Sequence, residues 1–322
     1  MSQAPTGIRR WSTDRVNGLL RRALLWAAHE PTITRTVKRG GLRLGAGRFV
    51  AGETLDDCVD VLRRLNAEGF VCNTTILGEG KRDRAEIDDV VRTYEDLLRR
   101  LADERLRTNV ALKLTHLGLD VDEDLAFANL GRLLRTAADV GNTCRIDMEE
   151  SARVDATIRI YRRLRADGHE NVGMVLQAYL YRSMDDLRDL LPLRPNLRLV
   201  KGAYLEPHDV AFPRKPDVDR NYVAMIDAAL EGGGFTAIAT HDERVIDRSI
   251  AMADRLGLRS GTEYQLQMLY GVRPGLQRAL LARGQQVLVA TPYGEEWYPY
   301  FMRRLAERPA NLGFFLKNLL RG

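Results

Sequence analysis

Six short apolar runs in this chain finish on a residue able to do chemistry. NVALK closes on Lys113, TCRID on Asp147, VGMVLQ on Gln177, LRLVK on Lys201, TAIAT on Thr240 with His241 next, and EYQLQ on Gln267. Together they offer ammonium groups, amides, a hydroxyl and an imidazole, with few carboxylates. A divalent metal asks for several oxygen ligands, and His241 has no spaced partner, so no metal is expected. The set suits a large anionic or polar cofactor better. In the KGAY run, Gly202 and Ala203 sit just past a strand, where small residues let backbone approach a flat ring or a phosphate. Thr240, ahead of His-Asp-Glu, reads equally as a cap on the next helix.

The run WYPYFMRRLAE (297–307) holds a second constellation. At about 100° per residue, Arg303, Arg304 and Glu307 all fall within about 60° of Tyr300. Phe301, Met302 and Leu305 take the opposite face. One reading is an exposed helix with an Arg303–Glu307 pair four residues apart, in the less favourable order. The other is a double-arginine fork for a carboxylate, with Tyr300 as an aromatic wall. Helix geometry leaves both open.

Such residues need a frame that gathers strand ends. Eight runs read as strands: 69–77, 109–113, 143–147, 172–177, 197–201, 236–240, 263–267 and 286–290. Between them lie segments of helical periodicity, such as AEIDDVVRTYEDLLRRLADERL, which implies parallel βαβ units. A repeat running from about residue 68 to 310 approaches the ~250 residues of a (β/α)8 barrel. An open doubly wound sheet would carry a Gly-rich turn after its first strand. Neither GxGxxG nor GxxxxGK[ST] occurs. In a barrel the strand ends converge at the C-terminal face, where active sites sit. The expected organisation is α/β: a helical arm and connector over 1–46, with a helix from Asn17 to His29, then a catalytic barrel over 47–322.

The 322 residues are 45% hydrophobic and 29% charged, an ordinary globular composition. No run nears the roughly 18 apolar residues of a membrane span, and charges occupy the N-terminus where a signal peptide needs an apolar core. Three scattered cysteines, Cys58, Cys72 and Cys144, argue against a disulfide framework or structural zinc, so a reducing cytoplasm is expected. The net charge of +5 invites a nucleic-acid reading, but the 49 basic residues are dispersed among 44 acids with no basic tail. A solvated mixed surface is expected instead.

The motifs resemble the proline dehydrogenases, flavin enzymes that oxidise L-proline. The matching segments are RFVAGETL (48–55), LGE (77–79), ALKLTHLG (111–118), IDMEES (146–151), LQAYL (176–180), LRLVKGAY (197–204), ATHD (239–242), QLQMLYGV (265–272) and PYGEEWYPYFMRRLAERPAN (292–311). The resemblance implies a distorted (β/α)8 barrel with FAD at the C-terminal strand ends and the last helix over it. It implies that Arg198, Gln177 and Lys201 contact the isoalloxazine and that Gly202 and Ala203 approach it by backbone. Thr240 and His241 would bind further along the FAD, and Asp147 and Met148 would lie in the flavin pocket. Arg303 and Arg304 would clamp the substrate carboxylate, held by Glu79 and Glu307. Tyr204, Leu269 and Tyr300 would wall the ring, with Lys113 at the mouth. Asp147, Arg198 and Lys113 are the catalytic candidates. The acceptor implied is a quinone, hence a peripheral contact with the inner membrane surface, to which the basic N-terminal helix could contribute. Two positions depart from the family pattern. Thr75 stands where an aspartate precedes LGE, and Ala290 where the last strand usually carries a tyrosine. The second opens hydroxyproline or another cyclic or N-substituted amino acid as the substrate. Further alternatives are a methylenetetrahydrofolate reductase-like flavin barrel and, from net charge alone, a nucleic-acid binder.

Overall fold

A computed structural model describes residues 46–307 of the chain. The arm expected over 1–46, with its helix at Asn17–His29, lies outside the described residues apart from Ala46. Helix α1 (Leu55–Ala67) starts from a capping box in which Thr54 and Asp57 satisfy each other's backbone N–H groups. Strand β1 (Val71–Ile76) leads to α2 (Arg84–Asp103), capped by Asp83, which accepts from the Ala85 and Glu86 N–H groups. Ile87, Val91, Tyr94, Leu98 and Leu101 of α2 are buried, a three-four spacing that lays one apolar stripe on the sheet.

The alternation continues through β2 (Thr108–Leu112), α3 (Glu123–Asp139), β3 (Cys144–Ile146) and α4 (Val154–Ala166). Next come β4 (Val172–Gln177), α5 (Ser183–Leu190), β5 (Asn196–Val200) and α6 (Lys215–Gly232). Then follow β6 (Phe235–Ala239), α7 (Glu243–Arg255), β7 (Tyr264–Leu269), α8 (Pro274–Ala282), β8 (Val287–Tyr293) and α9 (Trp297–Glu307).

The eight strands pair in chain order, all parallel, and β8 returns to β1 to close the barrel. The closing seam runs from Val71 opposite Leu288 to Ile76 opposite Tyr293. It is stitched by the Thr74 hydroxyl donating to the Thr291 carbonyl at 2.8 Å and the Thr291 hydroxyl to the Asn73 carbonyl at 3.1 Å.

Register partners in parallel strands point to the same face. Pairing of Asn73 with Asn109 and Ala290, of Ala111 with Arg145 and Arg145 with Gly173, and of Arg198 with Ala237 therefore sorts the residues. Asn73, Asn109, Arg145, Gln177, Asn196, Arg198, Gln265 and Gln267 form one set, which takes the lumen. Their outward neighbours Cys144, Ile146, Met174, Leu197 and Leu199 enter the apolar layer beneath the helices. Such a polar lumen is not the branched aliphatic filling that usually plugs a barrel of this kind.

Strand boundaries shift by a residue at the ends that matter. Lys113, Asp147, Lys201 and Thr240 lie one position past their strands, at the start of the loops, while Gln177 closes β4. Strand β7 continues beyond Gln267 to Leu269, and β8 beyond Ala290 to Tyr293.

Candidate active site

The mouth is organised by three charge clusters. In the first, Arg198 of β5 donates to the Asp147 carboxylate, and Asp147 is fixed by its own N–H donating to the Leu112 carbonyl at 2.8 Å. Below them Gln267 donates to Gln265 at 3.0 Å, and Gln265 to Gln286. Three buried polar atoms here have no partner among the described residues: Arg198 Nε, Gln177 Oε1 and Gln267 Oε1. Buried polar atoms are nearly always paired, so a donor and two acceptors left open at one end of a barrel suit a polar ligand.

The second cluster sits on the loop after β5. Lys201 Nζ donates to Asp219 of α6 at 2.6 Å, and Lys215 shares that carboxylate. Gly202 has φ +111°, and a Cβ there would lie 2.2 Å from the Tyr179 ring. Its small size is therefore demanded first by the tyrosine beneath it, a reason different from the ligand approach read in the sequence. Ala203 and Tyr204 follow, both half-buried. Burial pushes the Tyr204 phenol up, and Glu79 and Glu149 add to the effect. Glu206 pins this loop across the mouth, accepting from the Ser151 N–H at 2.7 Å and from Tyr179 at 3.3 Å.

The third cluster links Glu79 to Lys113 at 3.2 Å and to Arg303 of α9 at 3.4 Å. Burial alone would raise the Glu79 carboxyl. The two cations outweigh it and hold it below the ordinary value. Phe301 and Met302 of α9 are buried while Tyr300, Arg303 and Arg304 are only partly so, which matches the helical wheel. The Arg304 guanidinium lies 5.1 Å over the Tyr300 ring. Arg303 thus reaches across to Glu79. The Glu307 side chain lies outside the described set.

The remaining candidates fall around the same rim. The Thr240 hydroxyl accepts from the Asp242 N–H at 3.2 Å, but the cap of α7 is Asp242, whose carboxylate accepts from the Arg244 N–H at 3.1 Å. His241 Nε2 accepts from the Leu269 N–H at 3.0 Å, which ties the β6 loop to β7 and puts the ring proton on Nδ1. Leu269 and Ala290 are register partners, both half-buried on the lumen side. Tyr293 is three residues on and faces outward by parity, so it does not fill the space beside Ala290. Met148 is buried in the hydrophobic core.

Sequence reasoning missed two supports. Glu149, buried, accepts from the Thr115 N–H at 3.1 Å and its hydroxyl at 2.6 Å, and the Gly80 N–H donates to that hydroxyl at 3.2 Å. This joins the turn bearing Glu79 to the turn bearing Lys113. The signal was the acidic run in IDMEES. The other is Arg145, 4% exposed, whose guanidinium donates to the Asn196 side chain at 2.6 Å. Among the described residues no group of three or more His, Cys, Asp or Glu side chains could hold a metal ion.

A family model for proline dehydrogenase matches residues 58–317. The chain is 39% identical over 303 residues to proline dehydrogenase 1 of Bacillus subtilis, covering 94% of this chain and all of that protein. It is 39% identical over 313 residues to proline dehydrogenase of Deinococcus radiodurans, covering 95% of this chain and all of that one. Among solved structures, proline utilization A of Bdellovibrio bacteriovorus inactivated by N-propargylglycine superposes with a TM-score of 0.79 at 21% identity. That match covers 95% of this chain and 40% of the larger one, and it bears on the fold alone. On the family match and these full-length similarities, the chain belongs to the proline dehydrogenase family.

Proposed function

We propose that this chain oxidises L-proline to Δ1-pyrroline-5-carboxylate, the first step of proline catabolism, with non-covalently bound FAD at the barrel mouth. The observation that carries the cofactor assignment is the set of orphaned buried atoms on Arg198, Gln177 and Gln267, in a lumen lined by amides and cations. That donor and acceptor set fits a flavin ring and its phosphates better than it fits an apolar ligand. Arg198, Gln177 and Lys201 would hold the ring. The Gly202–Ala203 backbone, Asp147 and Met148 would complete its pocket, and Thr240 and His241 would hold the rest of the molecule. Bound FAD supplies a two-electron acceptor for the hydride leaving C5 of the uncharged amine.

The protein's own part is placement and charge. Arg304 and Arg303 take the carboxylate, Glu79 holds Arg303 in reach, and Lys113 holds Glu79. Tyr204, Leu269 and Tyr300 wall the ring, so the C5–H is presented in one orientation. Lys201 and Arg198 place positive charge where negative charge arrives. A quinone as final acceptor, and a peripheral contact with the inner membrane surface from the cytoplasmic side, rest on the family likeness. No helix among the described residues is long and apolar enough to cross a membrane. Family membership displaces the methylenetetrahydrofolate reductase-like reading.

The direct test is the visible spectrum of the purified protein. A flavin spectrum that bleaches when proline is added without oxygen supports the proposal, and a colourless protein sinks it. Acid precipitation releases all of the flavin to the supernatant. Flavin kept in the pellet would contradict non-covalent binding.

Ala290 favours a second substrate. It faces the lumen, half-buried, beside Asn73 of β1, and its methyl is far smaller than the tyrosine of the family pattern. Trans-4-hydroxy-L-proline is expected to be used with kcat/KM within about tenfold of proline, roughly 1.4 kcal/mol. Ala290→Tyr shifts preference back toward proline. A thousandfold preference for proline that Ala290→Tyr leaves unchanged would end the open-pocket idea.

Glu79→Gln removes the anion shared by Lys113 and Arg303. The expected result is a severalfold rise in KM for proline with FAD content unchanged. An unaltered KM would reduce the triad to surface pairing.

A further inference from the structure

One buried cation is not absorbed by the mechanism above. Arg145 lies on β3, facing the lumen two residues before Asp147. Its guanidinium crosses β4 to reach β5, donating to Asn196 Oδ1 at 2.6 Å and, at 3.4 Å each, to the Asn196 and Met174 carbonyls. The crossing has a gap prepared for it. A Cβ at Gly173 would lie 2.9 Å from the Asn196 carbonyl oxygen and 3.1 Å from Arg145 Nη1. Gly173 is not among the glycines with positive φ, so it is there for room rather than for backbone freedom.

Every partner of this guanidinium is neutral. Among the described residues no carboxylate comes within ion-pairing distance of it. The neighbouring lumen cations differ. Arg198 is paired with Asp147, and Lys201 with Asp219. Among these lumen cations of the described residues, Arg145 is therefore the one with no carboxylate in direct contact, Asp147 acting on it only from a distance. Burial, with Arg198 nearby, brings Arg145 down to about 9 against a smaller opposing pull from Asp147, so it remains charged at neutral pH. A strut between β3 and β5 needs hydrogen bonds but no charge, and burying an unpaired charge is costly.

We propose that Arg145 is a fixed positive charge below the mouth that raises the reduction potential of the FAD held there. This rests on the FAD reading of the site. Hydride transfer carries two electrons and one proton, so the acceptor gains one unit of negative charge. A permanent cation in a low-dielectric interior favours that reduced state over the oxidised one.

The test is a redox titration of the bound FAD against reference dyes, in the intact protein and three variants. Arg145→Met is expected to lower the equilibrium constant for two-electron reduction at least tenfold, a fall of about 30 mV. Arg145→Lys keeps the charge while losing the fork, and holds the potential near that of the parent. Asn196→Asp places a carboxylate against the guanidinium and keeps the strut. It lowers the potential as Arg145→Met does, and carries the test if that variant fails to fold. Unshifted potentials in both Arg145→Met and Asn196→Asp would overturn the proposal. So would an Arg145→Lys shift as large as that of Arg145→Met, which would make the effect one of shape. The parent spectrum comes first: a colourless parent removes the FAD reading and this inference together, whereas a yellow parent with unmoved variants removes only this inference.

Discussion

Replacing Arg304 with methionine lowers kcat/KM for proline by roughly ten- to 150-fold, the loss of a charge-assisted carboxylate contact worth about 1.5–3 kcal/mol. The FAD spectrum and content stay as in the parent, because Arg304, which stands on α9 over Tyr300, is assigned to the substrate carboxylate and not to the cofactor. The effect differs in kind from that of Arg303→Met. Arg303 is engaged by Glu79, so its removal also releases Lys113 from a three-way pairing. Steady-state kinetics of fully flavinylated Arg304→Met, with a thermal unfolding midpoint matching the parent, makes the comparison. An unchanged kcat/KM would return α9 to the other reading of its pattern, a helix with surface ion pairs.

Between pH 7 and pH 5 the folded protein loses about 2 kcal/mol of stability through His116 alone, by proton linkage. His116 is 3% exposed, and burial, with Lys113 and Lys81 alongside, pushes it down to about 4. In the unfolded chain it titrates near the ordinary value of 6.5. Below pH 6.5 the unfolded state therefore binds a proton that the folded state refuses. The stability is fully present above that pH and falls as the pH drops toward 4. Chemical denaturation of the parent and of His116→Gln at both pH values isolates the contribution. The variant loses less stability on acidification by about that amount, although its stability at pH 7 is lower. Equal losses in the two proteins would refute the assignment.

Much of the frame was legible because it depends on local pattern. Apolar runs of strand length between segments of three-four periodicity can hardly pack otherwise than as βαβ units, and all eight strands lie where those runs lie. The polar residues closing the runs did gather at one end. Four of them lie one position past their strands, within the usual scatter of element ends; the backbone of Asp147 still donates to Leu112 of β2 while its side chain meets Arg198 of β5. The α9 wheel located the faces of Phe301 and Tyr300 correctly, yet it could not say that Arg303 would choose Glu79, more than two hundred residues earlier, as its partner.

What escaped were arrangements created by register. Arg145, Gly173 and Asn196 come from three different strands, and nothing in RID, VGM or PNL alone announces a guanidinium threaded past a glycine. Glu149 was quoted within a motif, but its carboxylate holds Thr115 from the preceding βα loop. At Gly202 the sequence shows room for a close backbone approach but not the ring of Tyr179 that also requires it. In each case the deciding contact is long-range in sequence, where periodicity carries no information.

The β1–β8 seam has a consequence for how the molecule comes into being on the ribosome. Strand β1 is among the first barrel elements synthesised, and the strand that covers its open edge is the last. Through most of translation β1 presents unpaired N–H and C=O groups of the kind that recruit stray strands. The side chains that share the seam inherit the same delay. Glu79 follows β1, Ala290 lies within β8 and Arg303 comes later still. The Glu79–Arg303 pair thus comes into existence only at the close of synthesis, while the Asp147–Arg198 pair is available by β5. Interactions so distant along the chain slow folding. The mouth is thus assembled round the barrel in chain order, with Thr240, His241 and Gln267 joining between those two pairs.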